Sequence, residues 1–531
     1  MKNLVLFTLG VVLSATLAAQ DFNYNVSLKP VTNIDTPGLH SYAVGIHEGK
    51  WLIIGGRLDG LHARQPFNAF PGVYNNTDIY VIDPVSKDVW SSSVNGLSTS
   101  ITDQLQATNM CFHQVGDTLY FVGGYAFSSS LNDHVTFPYL TTIQVSSLIS
   151  AIVQGESIAP HIKQVSDQRM AVTGGHLAFQ DDHLMIVGGH RFDGRYNPMG
   201  HNTYTQTYTN SIRSFQVDNS GSTPIIQNFT ETIDAAHLHR RDYNLVPQIF
   251  GDGSFGHMIS SGVFQVNVDL PFLYPVEIRS SGHQAVTAFN QYLSNYHSAH
   301  VTLHDTNSQA THSLFFGGMA QYYYQDSTLI EDQSVPFVKT ISRVTRSSND
   351  DLQEFVLPVE MPDLQGASAE FIRNTQLATL HNEILVLTDA DSMLIGYVYG
   401  GIESGSMNPF TGNNTGSTSA SPVIYEVWLI NTDETATQIP IVGGHTFKTE
   451  VYPNPGSGNI RLRLDAPLSG SSFVTITDQM GKAVEHFEIN DLQKGRNDFL
   501  FLPAGTLSPG IYNLSFSFND KYYSTSSVVV Q

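Results

Sequence analysis

The chain has 531 residues and carries 25 Lys and Arg against 47 Asp and Glu, a formal net charge of −22. An acidic surface repels phosphate backbones, which argues against a nucleic-acid-binding role. Charged residues make up only 14% while aromatics reach 11%, with 43 Gly, which excludes a disordered chain and suits a β-rich protein with many turns and no long helices. The length corresponds to about three domains at roughly 100–200 residues each, or to fewer if part of it is a repeat fold. The single cysteine, Cys111, excludes an intramolecular disulfide and four-cysteine zinc sites. It stands in Asn109-Met-Cys-Phe-His113 at the start of an apolar strand, where a thiol behaves as a small buried hydrophobe.

Residues 1–19 read as a secretory signal peptide, with Lys2, an apolar run from Leu4 to Val12 and small residues at Ala18 and Ala19. The run is too short for a transmembrane anchor, and no cysteine follows for lipid attachment. A strand is expected at Asn23–Lys29. Beyond it, apolar strands ending in a double glycine recur: Trp51-Leu-Ile-Ile-Gly-Gly56, Leu119-Tyr-Phe-Val-Gly-Gly124, Leu184-Met-Ile-Val-Gly-Gly189, Leu314-Phe-Phe-Gly-Gly318 and Tyr397-Val-Tyr-Gly-Gly401. The first glycines lie 68, 65, 129 and 83 residues apart, so a degenerate unit is expected in the long gap. Phe255-Gly-His-Met-Ile-Ser-Ser-Gly262 sits there, with Ser-Ser-Gly in place of Gly-Gly, and the count becomes six. In each unit a polar-flanked strand precedes the glycine strand, a long loop follows, and two more strands complete a set of four.

Gly55-Gly56, Asn76, Asp78-Ile-Tyr-Val-Ile-Asp-Pro84 and Trp90 resemble a kelch repeat, and the later units match more loosely. The resemblance spans about residues 38–440 and implies a six-bladed β-propeller over 20–440, with Asn23–Lys29 completing the last blade. The pattern stops in a linker at 441–450. The tail, 451–531, reads as a small β-sandwich of short alternating strands. Its Tyr452-Pro453-Asn454-Pro455, its Asp-x-x-Gly481-Lys482 turn, its Leu-x-x-Gly510-x-Tyr512 and its Val-rich last strand, in that order, resemble the C-terminal sorting domain of the Bacteroidetes type IX secretion system. That resemblance implies contact with the type IX machinery, passage across the outer membrane, removal of the tail, and release or attachment at the cell surface. The fold class expected is therefore all-β: a six-bladed kelch-like propeller followed by a small β-sandwich.

Aligning the units on their glycines brings Ser41, Asn109, His176, Asn244, His297 and Thr375 to one mouth of the axial channel. Such a ring can hold a sugar, a metal or ordered water, or simply line a wet channel and cap strand ends. His237 and His239, in His237-Leu-His-Arg-Arg-Asp-Tyr243, would face one side of a strand as two metal ligands do, yet no third ligand is assignable and Arg240, Arg241 and Asp242 equally suit an ion pair. The loops after the glycines repeat an Asp-Gly pattern, Gly55–Gly60 with Gln65-Pro66, Gly188–Gly194 with Asn197-Pro198 and, more loosely, Gly400–Gly405 with Asn408-Pro409. Such pairs make turns without any function. The loops are also rich in tyrosine, and Tyr125, Asp193, Tyr196, Tyr322, Tyr323 and Tyr324 are the candidate ligand-binding residues, tyrosine offering a flat apolar face and a hydroxyl to sugars or peptides.

No Gly-x-Ser-x-Gly elbow, His-Glu-x-x-His or phosphate-cradling loop is present, and no catalytic residue or cofactor is assigned. Secreted kelch-like propellers include copper oxidases of the galactose oxidase type, which need a cysteine cross-linked to a copper-ligating tyrosine; Cys111 lacks that surrounding pattern. Kelch-type sialic-acid epimerases are single-domain periplasmic proteins, which a sorting tail fits poorly. Paired-carboxylate chemistry leaves no linear signature. The sequence therefore reads as a secreted or surface-delivered module binding an extracellular glycan or protein. The alternatives are an extracellular carbohydrate-active enzyme and a structural or adhesive envelope component.

Overall fold

The computed structural model describes residues 22–530 except 64–68, 198–202, 326–327, 411–414, 433–438, 441–448, 455, 457–459, 467–468, 478–482, 502–506 and 519–521. The signal peptide 1–19, most of the 441–450 linker, Gln65, Pro66, Pro198, Pro455, Gly481 and Lys482 thus lie outside the described residues. Apart from two short α-helices, Thr99–Leu105 and Val145–Gln154, the described secondary structure is almost all strand.

Six mainly antiparallel sheets of four or more strands follow one another between residues 24 and 431, none of them closed on itself, and three further sheets are built from the loops between their strands. The first runs from Ala43–His47 through Lys50–Ile54 and Asp78–Asp83 to Asp88–Ser93. The next four begin on Cys111–Val115, His176–Gln180, Asn244–Ile249 and Ala299–Asp305. The sixth consists of Glu370–Arg373, Ser392–Tyr399 and Ile424–Asn431, and its fourth strand comes from the other end of the chain: Tyr24–Pro30 pairs with it, Val26 opposite Leu429. The fifth sheet is longer than the rest. Thr379–Leu380 and Ile384–Val386, inserted between the first two strands of the sixth sheet, add to its inner edge, and Ile439–Pro440 adds to its outer edge.

The glycine spacing has a mechanical basis. The N–H of the second glycine donates to a carbonyl just ahead of the next sheet's first strand: Gly56 to Ala107 (2.9 Å), Gly124 to Val172 (3.0 Å), Gly189 to Arg240 (2.8 Å), Gly318 to Gln365 (3.0 Å) and Gly401 to Leu39 (2.8 Å). The first glycine of each pair has a left-handed φ, and a Cβ there would strike the same carbonyl, at 1.7 Å from Val172 O for Gly123 and 2.3 Å from Leu39 O for Gly400. The degenerate unit keeps the joint, since Ser261 adopts φ 60° and Gly262 donates to Asn295 O at 3.2 Å.

Two residues past each of these carbonyls, or three in the sixth unit, a second set of backbone hydrogen bonds forms a cycle. The N–H of Asn109 donates to Ser41 O (3.1 Å), Gly174 to Asn109 O (3.2 Å), Asp242 to Gly174 O (2.7 Å), His297 to Asp242 O (2.8 Å), Ser368 to His297 O (2.9 Å) and Ser41 to Ser368 O (3.0 Å). All of these residues but His297 have left-handed φ, which Asn, Asp and Gly tolerate best.

Apolar cores fill the spaces between successive sheets. Leu52 meets Leu119 between the first and second, Val122 meets Leu177 between the second and third, and Val187 meets Leu245 between the third and fourth. Val246 and Val344 share the next core, and Leu303 and Val427 the one after. The last core joins the sixth sheet back to the first: Trp51 packs edge-on to Tyr397 at 5.0 Å, and the Tyr42 hydroxyl donates to Tyr399 O at 2.9 Å. Each fully buried aliphatic or aromatic side chain contributes about 1.5–3 kcal/mol. The helix Val145–Gln154 lays Val145, Leu148, Ile149 and Ile152 on the first of these cores and stops at Gly155 in a left-handed cap (φ 69°).

The tail forms two sheets about one core of Leu462, Leu464, Val474, Ile476, Leu514, Phe516 and Val528. Asn454 of the Tyr-Pro-Asn-Pro segment accepts from the N–H of Val529 (2.9 Å), so this motif holds the final strand, and Tyr512 donates to Ser508 O (2.9 Å).

Replacing Gly123 by Ala should lower stability by about 2–3 kcal/mol, because the methyl group meets a carbonyl and strains a left-handed backbone. Gly416→Ala, where a Cβ meets nothing within 4 Å, should stay within about 0.5 kcal/mol. Equal melting temperatures for the two variants would show that the double glycine does not join the sheets.

Candidate functional site

The hydrogen-bonded cycle gathers polar side chains from all six units around one small cavity. Ser41, Asn109, His176, Asp242, His297 and Glu370 line it, and its volume of about 30 Å³ holds roughly two water molecules. His297 Nε2 lies 3.3 Å from Glu370 Oε1, a buried oxygen without a hydrogen bond in the structure. Burial pulls the His297 pKa down, but the charges of Glu370 and Asp242 outweigh it and the imidazole titrates above its ordinary value. His176, its ring centroid 5.2 Å from that of His297, behaves oppositely: burial, then the neighbouring His297 and His300, hold it well below. Its Nε2 donates to Tyr243 O at 2.7 Å, so the surroundings favour the neutral form of His176 and the charged form of His297.

Four of the six mouth residues expected from sequence, Ser41, Asn109, His176 and His297, line this cavity. Asn244 does not. It is buried and spent on the next unit, accepting from Ser298 N–H (2.8 Å) and donating to Tyr296 O (3.2 Å), and Asp242 takes the place beside the cavity. Thr375 is exposed beyond the end of Glu370–Arg373, and Glu370 supplies the sixth group. Counting back from Gly400 misplaces it because of the inserted strands Thr379–Leu380 and Ile384–Val386. Glu370, like His176, is the first residue of its strand and lies two residues past its cycle residue, Ser368 and Gly174 respectively, whereas the other four lining groups belong to the cycle residues themselves.

That insertion packs at the far end of Ala299–Asp305 from His297, where Leu385 and Val386 pair with Leu303 and His304. Ile384–Val386 runs parallel to Ala299–Asp305, His381 stacks on Phe255 at 4.1 Å, and Glu383 reaches within 3.5 Å of His257 Nε2. Burial raises the Glu383 pKa, but His257, His113 and Arg373 outweigh it and keep the carboxylate ionised.

The candidate tyrosines occupy two places. Tyr125 is 3% exposed, its hydroxyl donating to Gly194 O (2.9 Å) and accepting from Tyr196 N–H (3.0 Å), so it supports the surface and has no free face for a ligand. Around it, Tyr196 packs edge-on to His62 (5.0 Å) and Phe192 (5.4 Å), and Phe70 lies edge-on to Tyr125 (5.3 Å). Asp193 is not in a turn but on the strand His190–Gly194, held by both Nε (2.8 Å) and a terminal nitrogen (3.0 Å) of Arg191. Arg57 grips Asp59 in the same bidentate way in the first loop. The loops of the first two units also expose Leu58, Val73, Tyr74 and Leu131, at 42, 80, 46 and 64%. These residues carry no sequence signal, since single apolar residues in loops are ordinary on protein surfaces. Tyr322, Tyr323 and Tyr324 stand elsewhere, on the two-stranded sheet Tyr322–Gln325 and Thr328–Glu331, with Tyr322 edge-on to Tyr292 (4.8 Å) and both Tyr322 and Tyr324 against the small core of Tyr292 and Leu293.

His237 and His239 lie in a turn segment rather than on a strand, and they point to separate partners. His237 Nδ1 meets the Tyr274 hydroxyl (3.0 Å), whereas His239 Nδ1 meets Asn210 Oδ1 (2.8 Å) with its ring stacked on Tyr208 (3.7 Å). Arg241 pairs with Asp242 (2.7 Å), while Arg240 donates to backbone carbonyls of Ser261 and Tyr274. Among the described residues no group of three or more His, Cys, Asp and Glu could hold a metal ion. Cys111 is buried, and burial pushes its thiol up to about 12.

Because His297 has a raised folded-state pKa, its stabilising contribution is complete below about 6.5 and is lost as the pH rises through the folded value. Glu370→Gln should lower the His297 titration seen by histidine NMR and remove that loss; an unchanged His297 titration would exclude Glu370 as its cause. His176 should stay neutral wherever His297 titrates.

No curated protein matches the chain. Among solved structures, one titled "Structure of YjhT" aligns at TM-score 0.41 and 11% identity over 76% of this chain and 99% of its own. A copper-bound fungal alcohol oxidase of the AA5 family aligns at TM-score 0.37 and 9% identity over 96% and 99%. No helix among the described residues is long and apolar enough to cross a membrane. Residues 450–531 match the secretion system C-terminal sorting domain, so the chain carries a type IX sorting tail and is destined for secretion or the cell surface.

Proposed function

We propose that the six sheets are the blades of a kelch-like β-propeller, and that the sorting tail delivers this propeller outside the cell to bind an extracellular partner at its loop end. The blade assignment is supported by the cycle of six backbone hydrogen bonds and by the apolar core between the sixth sheet and the first. The tail is then the small β-sandwich and 441–450 the linker.

The observation that carries the binding reading is the exposed apolar set Leu58, Val73, Tyr74 and Leu131 on loops braced by Phe70, Tyr125 and Tyr196. Exposed apolar surface on a rigid scaffold fits a protein partner better than a glycan. Tyr196 and Asp193 stand at the edge of this surface, and Tyr125 stiffens it. A second reading, an enzyme acting on extracellular carbohydrate, is favoured by the His297–Glu370 pair beside neutral His176. The cavity of about 30 Å³ weighs against it, since ligand pockets usually offer about 300–1,000 Å³.

Retention of the full chain on host cells treated with protease or with glycosidases separates these partners. Protease treatment, and the double variant Val73→Asp with Leu131→Asp, should abolish retention without shifting the melting temperature. Loss of retention after glycosidase alone would assign the loop end to a glycan. Deleting 451–531 should leave the remainder in the periplasm, and normal surface delivery of that truncation would refute the export reading. Tyr322→Ala should cost about 2 kcal/mol of stability through lost packing and leave retention unchanged.

A further inference from the structure

A cavity lies between the second and third sheets, at the ends of their strands away from the hydrogen-bonded cycle. It measures about 280 Å³, and its lining comes from Cys111–Val115, Thr118–Val122, His176–Gln180, His183–Val187, Ser211–Asp218 and Ile225–Ile233, with Asp182 from the turn between the third and fourth of these. Tyr120 and Phe179 form its walls. Both are half-buried, each resting partly on the core of Leu177, Leu184 and Phe215. Leu184 and Val217 give it an apolar floor, and Asp182, Gln216, Asp218 and Gln227 form its rim.

Three features narrow what this groove accepts. No Lys, Arg or His lines it, while two carboxylates do, which disfavours phosphate, sulfate and uronate groups. Lys163 is held by the carbonyls of Asn219 (2.8 Å) and Gly221 (2.7 Å). The Asp218 carboxyl accepts from Ser220 N–H at 3.0 Å, and that bond keeps it below the usual carboxylate range, so it remains an acceptor in mildly acid surroundings. Gln216 is fixed at both ends of its amide: its Nε2 donates to Asp182 O (3.2 Å) and its Oε1 accepts from Asn228. Two aromatic walls, an apolar floor and a rim of fixed acceptors match the C–H face and the hydroxyl edge of a sugar ring. The volume has room for one ring.

We propose that this groove is a binding subsite for a single neutral hexose unit of a glycan, separate from the loop end. The hydroxyls donate to Asp182 and Asp218, Gln227 takes part from the rim, and the ring face lies on Phe179 and Tyr120.

Isothermal titration of the full chain with neutral trisaccharides (laminaritriose, mannotriose and cellotriose) and with an acidic one (trigalacturonate) tests this. At least one neutral trimer should bind saturably and trigalacturonate should not. Phe179→Ala and the surface variant Asp218→Asn should each weaken the neutral trimer by about tenfold or more, and Tyr196→Ala at the loop end should leave its affinity unchanged. Asp218→Asn serves if Phe179→Ala proves unstable, since Asp218 touches no core. Absence of binding by all three neutral trimers, equal binding of trigalacturonate, or indifference to Asp218→Asn would each overturn the proposal, and none of these results bears on the loop-end partner.

Discussion

A single backbone contact, repeated six times, organises this molecule: the N–H of the residue after each glycine strand caught by a carbonyl at the threshold of the following sheet. It requires a left-handed backbone that residues with side chains rarely adopt at the first position of the pair, and it is made by main-chain groups on both partners. The units can therefore diverge almost completely in sequence while the joints persist. Ser261 illustrates the tolerance. A serine held in the left-handed region costs roughly 1–2 kcal/mol, yet the joint beyond it forms through Gly262.

The joints also decide where polar chemistry collects. Because each fixes the chain two or three residues ahead of the cyclic contact, six polar side chains converge on one small space, four from the cycle residues and two, His176 and Glu370, from two residues beyond Gly174 and Ser368. The result is electrostatically uneven. His297 is drawn towards the charged form by two carboxylates, and His176, one ring away, is pushed towards neutrality. The far end of Ala299–Asp305 is treated differently: there the inserted strands bring Glu383 against His257. The two ends of that strand thus carry unlike polar groups.

Much of this was legible in the glycines alone. Each double glycine, and the degenerate Ser261-Gly262, follows a strand of a different sheet, while the additional small sheets formed by the loops gave no such signal, and the strand expected at Asn23–Lys29 appears as Tyr24–Pro30 on the outer edge of the sixth sheet. The tail was legible because its motif order is tied to position, Asn454 holding the last strand. What escaped was whatever depends on insertions or on unshared side-chain partners. Thr375 was misplaced by strands that join a neighbouring sheet, and Asn244 by a hydrogen-bonding debt to Ser298 that no linear pattern announces. Tyr125 looked available because tyrosines in loops usually are, but its hydroxyl is consumed by two backbone groups of another loop. The groove beside Phe179 left no linear signal, since its lining is drawn from three separated stretches of chain.

The pairing of Tyr24–Pro30 with Ile424–Asn431 makes the first described strand and one of the last strands of the six sheets a single edge. During synthesis that edge stays empty until nearly the whole repeat array exists, so the earliest strand waits unpaired while the rest accumulates. Contacts of such long range form slowly. The sorting domain begins at 450, shortly after the closing partner. A polypeptide interrupted before Ile424 lacks both the strand on which Tyr24–Pro30 pairs and the sorting tail, so a chain bearing that tail always carries the pairing partner of its earliest described strand.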